Sequence, residues 1–377
     1  MIIYLYLLLF IIVVKYFVLN LNSNRIVAVK TTNFVIVLMT ILYAIIKIIL
    51  NQDAGKWGTD QFSYYYYSFL PLRDLTWHEF YTQYISQREF SFKFILWLII
   101  NIKKLNFLEF QIVTFLIEIL PVYFISKFIN KGREFDIILF TFLVYPFFAN
   151  GATNVLRQGL AISILMIGYL WTLKDLEEPG KFRIISLGFV FFATTFHQTS
   201  LILSVLWVIT VVFRKKISIK YYWAAFWIFA ILDVTNTNQV LFGSIGSLFS
   251  DNYDLYINPE VQANYGSGSK YMFVLISIFL AVVLNFFLGQ VSETNKLKAE
   301  VLFKQYLGSA SAFFAFSFIA FSDRVGMYAW TIAPMIAFYM IDKTEDSLQR
   351  RVHLVLIPIV CMLIGYGMSS GSYFVNR

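Results

Sequence analysis

Apolar runs long enough to cross a lipid bilayer recur from one end of this chain to the other. A membrane helix needs roughly 20 apolar residues, about 17–25 in practice. Such runs occupy 1–19, 34–50, 107–129, 271–289, 305–322, 325–341 and 352–368. Shorter or polar-interrupted runs occupy 137–149, 159–173 and 219–232. The chain is 59% hydrophobic and 14% charged over 377 residues, against about 25% charged in a soluble domain. No compact soluble fold hides that much apolar surface. The expected fold is an all-α integral membrane protein, a polytopic helical bundle forming one membrane domain over 1–377. Met1-Ile2-Ile3 provides no basic leader and no small-residue cleavage pattern follows, so the first run is expected to remain as a helix.

The charges between the runs orient them. Short loops rich in Lys and Arg stay on the cytoplasmic side. Basic groups cluster in 20–33, 127–136, 174–183, 214–220, 290–304 and 342–351. The run 184–213 is interrupted by His197-Gln198-Thr199-Ser200. For all six basic loops to share a side, that run must go out and return with a turn near His197, and 92–102 must not cross. This predicts about 12 transmembrane helices with both termini outside. The six loops hold 18 Lys and Arg against 10 Asp and Glu, and the outer segments hold 10 of each. The net charge of +8 is then positive-inside signal, and it requires no nucleic acid partner. The basic pair Lys103-Lys104 is left on the outer side. Segments 51–106 and 233–270 become extracytoplasmic loops. The first carries aromatic stretches at 62–69 and 77–81, which fit helices lying in the interface.

Few polar groups remain on the outer face, and charged groups near the apolar layer are functional candidates by default. They are Gly58-Thr59-Asp60, Arg73, Arg88 and Glu89 in the first outer loop. Asn154-Val155-Leu156-Arg157-Gln158-Gly159 opens the fifth span. Phe196-His197-Gln198-Thr199-Ser200 forms the hairpin tip, and Ser322-Asp323-Arg324 lies between two late spans. Each has a plainer reading. Arg157 is also placed to snorkel to the headgroups, Asp60 to cap a helix over 61–69, and Asp323-Arg324 to form a local ion pair. Glu118, three residues before Pro121, is expected to bond groups freed by the proline kink. Other chemistries have no footing. There is one cysteine, Cys361, no Gly-rich phosphate loop and no His-Glu-x-x-His pattern, so no cofactor or metal is expected.

Several of these motifs also occur together in a known family. Gly58-Thr59-Asp60 followed by Tyr64 and then Arg88-Glu89-Phe90-Ser91-Phe92 resembles the early part of EpsG-like membrane proteins. So does Arg157-Gln158-Gly159-Leu160-Ala161 followed, after a basic turn, by Phe196-His197-Gln198-Thr199. Ser322-Asp323-Arg324-Val325-Gly326-Met327-Tyr328 resembles the family's late Arg-containing segment. The likeness runs in order through most of the chain. It implies a Wzy-type polysaccharide polymerase of the bacterial cytoplasmic membrane, with a fold resembling lipid-dependent (GT-C-like) glycosyltransferases. It implies undecaprenyl-pyrophosphate-linked oligosaccharides as donor and acceptor, joined at the outer face. A flippase and a chain-length regulator of the same pathway are its implied partners.

Such a reaction needs a clamp for departing pyrophosphate and a base for the attacking hydroxyl. Arg157 and Arg324 are the candidates for the clamp, because a guanidinium is always charged and donates in a planar fork to phosphate oxygens. Asp60, His197 and Glu89 are the candidates for the base. Tyr64, Gln158 and Asp323 are candidate sugar or supporting contacts. Two other readings use the same residues or the same topology: a ligase that transfers finished glycan, and a transporter of lipid-linked oligosaccharide.

Overall fold

The computed structural model describes residues 2–19, 26–53, 59–87, 89–176, 184–243, 271–319 and 322–368. In chain order the helices are α1 (Ile2–Val14), α2 (Ile26–Asp53), α3 (Thr59–Ser63), α4 (Trp77–Tyr84), α5 (Phe90–Ile102) and α6 (Phe107–Asn130). Next come α7 (Phe135–Val144), α8 (Pro146–Thr153), α9 (Leu156–Asp175), α10 (Ile184–Phe192), α11 (Ser200–Val212) and α12 (Ile219–Val234). The last are α13 (Asn238–Phe242), α14 (Tyr271–Leu288), α15 (Glu293–Phe316), α16 (Ser322–Asp342) and α17 (Ser347–Gly367). Among the described residues all regular structure is helical, with a single antiparallel bridge between Val291 and Thr344.

Six of these helices, α2, α6, α9, α14, α16 and α17, hold a stretch long and apolar enough to cross a bilayer. The pair α7 and α8 makes a seventh if it counts as one crossing, but it bends by 82°. The shorter run 137–149 thus falls on two helices with a sharp bend between them. Pro146 is the cause: the residue before a proline is pushed out of the α region, and Tyr145 accordingly sits at φ −82°, ψ 118°. Other expected crossings fall on short apolar helices. The stretch 3–18, the stretch 184–195 and α11 are of this kind. At about 1.5 Å per residue they fall short of a roughly 30 Å hydrocarbon core. The expected break at His197 is present, since a 3-10 turn ends at Thr195 and α11 begins at Ser200. The run 92–102 forms the short helix α5. Most of the segment 233–270 lies outside the described residues.

The chain forms two compact units, Met1–Gln198 with Asp346–Arg377, and Thr199–Glu345. In the first, α9 packs against α6, α8 and α10, and α7 packs against α2, α6 and α17. A capping box starts α6: Asn106 accepts from the Glu109 N–H, and Glu109 accepts from the Asn106 N–H, which satisfies two donors that the helix itself leaves unpaired. At another point of this unit Lys15 and Asp136 form an ion pair at 2.6 Å with both side chains buried. Arg350 on α17 donates to Glu134 at 2.8 Å. In the second unit α15 is the axis, touching α11, α12, α13, α14 and α16. Its Tyr306 hydroxyl donates to the Ser277 carbonyl at 2.7 Å, and Trp330 Nε1 on α16 donates to Ser277 Oγ at 2.8 Å.

Candidate active site

A cluster of polar groups gathers where α9 begins in the first unit. The backbone leaves helical geometry at Asn154 and Val155, so α9 starts afresh at Leu156 and Arg157 is its second residue. That position keeps Arg157 at the end of the helix, where its guanidinium reaches outward. It forms an ion pair with Glu89, and its Nε donates to the Tyr64 hydroxyl at 3.4 Å. Its guanidinium carbon also lies 5.5 Å from the centre of the Tyr64 ring, within cation–π range.

Glu89 is presented by strained backbone. It precedes α5 with φ 63° and ψ 32°, a left-handed conformation that costs a non-glycine residue roughly 1–2 kcal/mol. The strain turns its carboxylate toward Arg157. Its other oxygen accepts the backbone N–H of Gln198 at 3.4 Å. One turn away, Thr195 Oγ1 donates to Ser91 Oγ at 2.7 Å. These two bonds tie the segment 195–198 to the head of α5. Tyr64 opens a stretch, Tyr64–Phe69, wound more widely than an α-helix, a geometry often found at functional sites. Its ring meets Phe92 of α5 edge-on at 5.4 Å.

A second cation belongs to the cluster. Lys93 donates to Gln87 Oε1 at 2.5 Å and stands 4.5 Å from the centre of the Tyr84 ring. Burial, and then the nearby charge of Arg157, lower its pKa from the ordinary lysine value, while Glu89 pulls in the other direction. Arg157 and Glu89 both lie close enough to act on the charge of Lys93. The pair is not sealed: the Arg157 side chain is 38% exposed and that of Glu89 14%. The three groups together carry one positive charge in excess.

Tyr64, Glu89 and Arg157, expected separately, thus meet in one place. Asp60 lies in the first turn of α3 and is half-buried, so it is within the helix and not at its cap. His197 is half-buried, with its backbone N–H on the Ala193 carbonyl at 3.2 Å. Gln158 is buried. Asp323 and Arg324 are half-buried in the first turn of α16, in the second unit. Gly58 and Arg88 lie outside the described residues. Sequence reasoning missed Lys93, the Ser91–Thr195 bond and the Gln198 N–H. A signal existed for the first, since Lys93 is the one charged residue in the apolar sequence of α5.

Glu118 also departs from expectation. Its carboxyl packs against the first turns of α9, beside Gly159 and Leu160.

Comparison with protein families finds that the model of the EpsG family matches residues 36–373. No curated protein and no solved structure gives a match.

Proposed function

That match covers nearly the whole chain, so the protein belongs to the EpsG family, and from that premise we propose that it is a polysaccharide polymerase. Membership marks a membrane protein of exopolysaccharide production. The finer reading is glycosyl transfer between two undecaprenyl-pyrophosphate-linked oligosaccharides at the outer face of the cytoplasmic membrane. Twelve crossings, with the six basic loops inside, and a likeness to lipid-dependent glycosyltransferases belong to the same proposal.

One observation carries it. Arg157 meets Glu89 at the accessible head of α9 from 68 residues away in sequence, and Lys93, one turn after Glu89 on α5, lies within their electrostatic reach. A lone structural ion pair does not need a second cation beside it. A pyrophosphate leaving group does, because it departs with more than one negative charge. In the proposed step a hydroxyl of the acceptor sugar attacks the anomeric carbon of the donor. The bond from that carbon to the pyrophosphate oxygen breaks, and the electron pair leaves with the pyrophosphate. Arg157 and Lys93 receive that charge, and fixed donors of this kind are typically the largest catalytic contribution. The hydroxyl proton passes to a carboxylate. Glu89 is favoured over Asp60 and His197 for this role because it touches the arginine directly. Before substrate arrives Glu89 occupies Arg157, and phosphate oxygens replace it there. Arg324 is carried as a second pyrophosphate contact on the family resemblance alone, and Tyr64 as a sugar contact.

Reconstitution with lipid-linked repeat units, followed by glycan sizing, tests the reading. Wild type is expected to build a ladder of chain lengths, and folded Arg157→Ala none. A normal ladder from Arg157→Ala would sink the assignment. Transport of the lipid-linked unit without lengthening would establish a transporter instead. In cells, gene loss is expected to leave single repeat units attached to their final acceptor, whereas loss of a ligase leaves long chains on the lipid carrier.

A further inference from the structure

We infer that Glu118 is a positioning residue for Arg157, acting through the backbone of α9; this rests on the catalytic reading of Arg157 given above. Glu118 lies midway along α6 and is 1% exposed. A carboxyl group so placed is expensive and needs a reason. Its Oε1 has no hydrogen-bond partner among the described residues. Its contact is with α9, where its carboxyl packs against the turn formed by Gly159 and Leu160. Leu160 is three residues after Arg157, so the two share a helix face. The contact lies at the N-terminal end of α9, where the helix dipole favours an acceptor oxygen.

The surrounding packing is built to admit this carboxyl. A Cβ on Gly159 would lie 2.8 Å from Glu118 Oε2 and 2.7 Å from the Gly151 carbonyl oxygen. Both distances are below normal contact, so any side chain at 159 would push α6 or α8 away from the start of α9. Glycine at 159 thus lets two neighbours grip the turn that carries Arg157. The gap beside Glu118, lined also by Phe92, Leu156 and Leu160, is a cavity of about 10 Å³. That is room for about one water molecule and none for a sugar or an isoprene unit. Glu118 therefore does not touch substrate. Phe92, which lines the same gap, packs on Tyr64, and Tyr64 holds Arg157. The guanidinium is fixed from its backbone by Glu118 and from its tip by Tyr64 and Glu89.

Glu118→Gln keeps the acceptor oxygen and the shape, whereas Glu118→Ala removes both. In the reconstituted ladder assay Glu118→Ala is expected to slow chain growth roughly 10- to 100-fold, the scale of a misplaced catalytic group. Glu118→Gln is expected to stay within about threefold of wild type, a rescue that general loss of packing does not predict. Gly159→Ala should resemble Glu118→Ala. Hydrogen exchange of the full-length protein in nanodiscs is measured in parallel. Amides 156–161 should exchange faster in Glu118→Ala and Gly159→Ala, and at the wild-type rate in Glu118→Gln. Equal rates for Glu118→Ala and wild type, or equal losses in Glu118→Ala and Glu118→Gln, overturn the inference. If wild type builds no ladder, the polymerase reading fails, and the exchange pattern alone decides the positioning role.

Discussion

Two ion pairs in the same unit join residues from distant parts of the chain, and they differ in access. Lys15 and Asp136 are sealed, with side chains 2% and 1% exposed. Arg157 and Glu89 are reachable, at 38% and 14%. A sealed pair cannot exchange partners without local unfolding, so it acts as a fastener between the N-terminal helical segment and α7. A reachable pair can release one partner to an incoming anion. The neighbourhood agrees: Lys15 lies 4.6 Å from the centre of the buried Tyr16 ring, while Arg157 shares its surroundings with the second cation Lys93. Residue types are similar in the two places, and solvent access separates structure from candidate chemistry.

The largest expected effect lies at the sealed pair. Lys15→Ala leaves Asp136 buried without its partner, which typically costs about 3–5 kcal/mol. Loss of the monodisperse, folded protein in detergent is the expected result, and the double change Lys15→Met with Asp136→Leu should restore it. Glu89→Gln is expected to behave differently. It should leave the thermal unfolding midpoint near that of wild type and lower turnover by about 10²–10⁴-fold, the usual contribution of a general base. A variant that unfolds as Lys15→Ala does would place Glu89 with the fasteners.

Lys93 sharpens the comparison through pH. Its lowered pKa means that it loses its proton at a lower pH than an ordinary lysine, near 10.4. Turnover at sub-saturating donor should therefore decline on the alkaline side earlier than for a solvated lysine. Lys93→Arg, always protonated, should remove that decline, and Lys93→Gln should lower donor use about tenfold at every pH. The smallest effect is expected from Tyr64→Phe, which loses one long hydrogen bond and keeps the ring. A change of about threefold in turnover is expected, measured against a larger loss in Tyr64→Ala.

How far the sequence was readable follows from the physics of each element. The runs at 107–129 and 352–368 match α6 and α17 closely because bilayer thickness sets the length of both. The run at 305–322 understates α15, which starts at Glu293. Its first turns carry Glu293, Lys296, Lys298 and Glu300 and are helical without being apolar. The bend at Tyr145 hangs on the single residue Pro146, which a hydropathy window averages away. Arg157 and Glu89 were each legible as costly charges near the apolar layer. Their pairing was not, because it depends on tertiary contact across many residues and on a strained backbone at Glu89. Lys93 was obscured because a lysine in an apolar run is also what snorkelling produces. Glu118 was legible as a buried acid, but its partner on α9 was not.

The central claim is that the reachable pair at the head of α9 exchanges its carboxylate for a phosphate anion. Binding of undecaprenyl pyrophosphate to the purified full-length protein in nanodiscs measures this directly. The account predicts saturable binding by wild type and by the Lys15→Met/Asp136→Leu variant, weakened at least about tenfold in Arg157→Ala. Equal affinity in wild type and Arg157→Ala would contradict it.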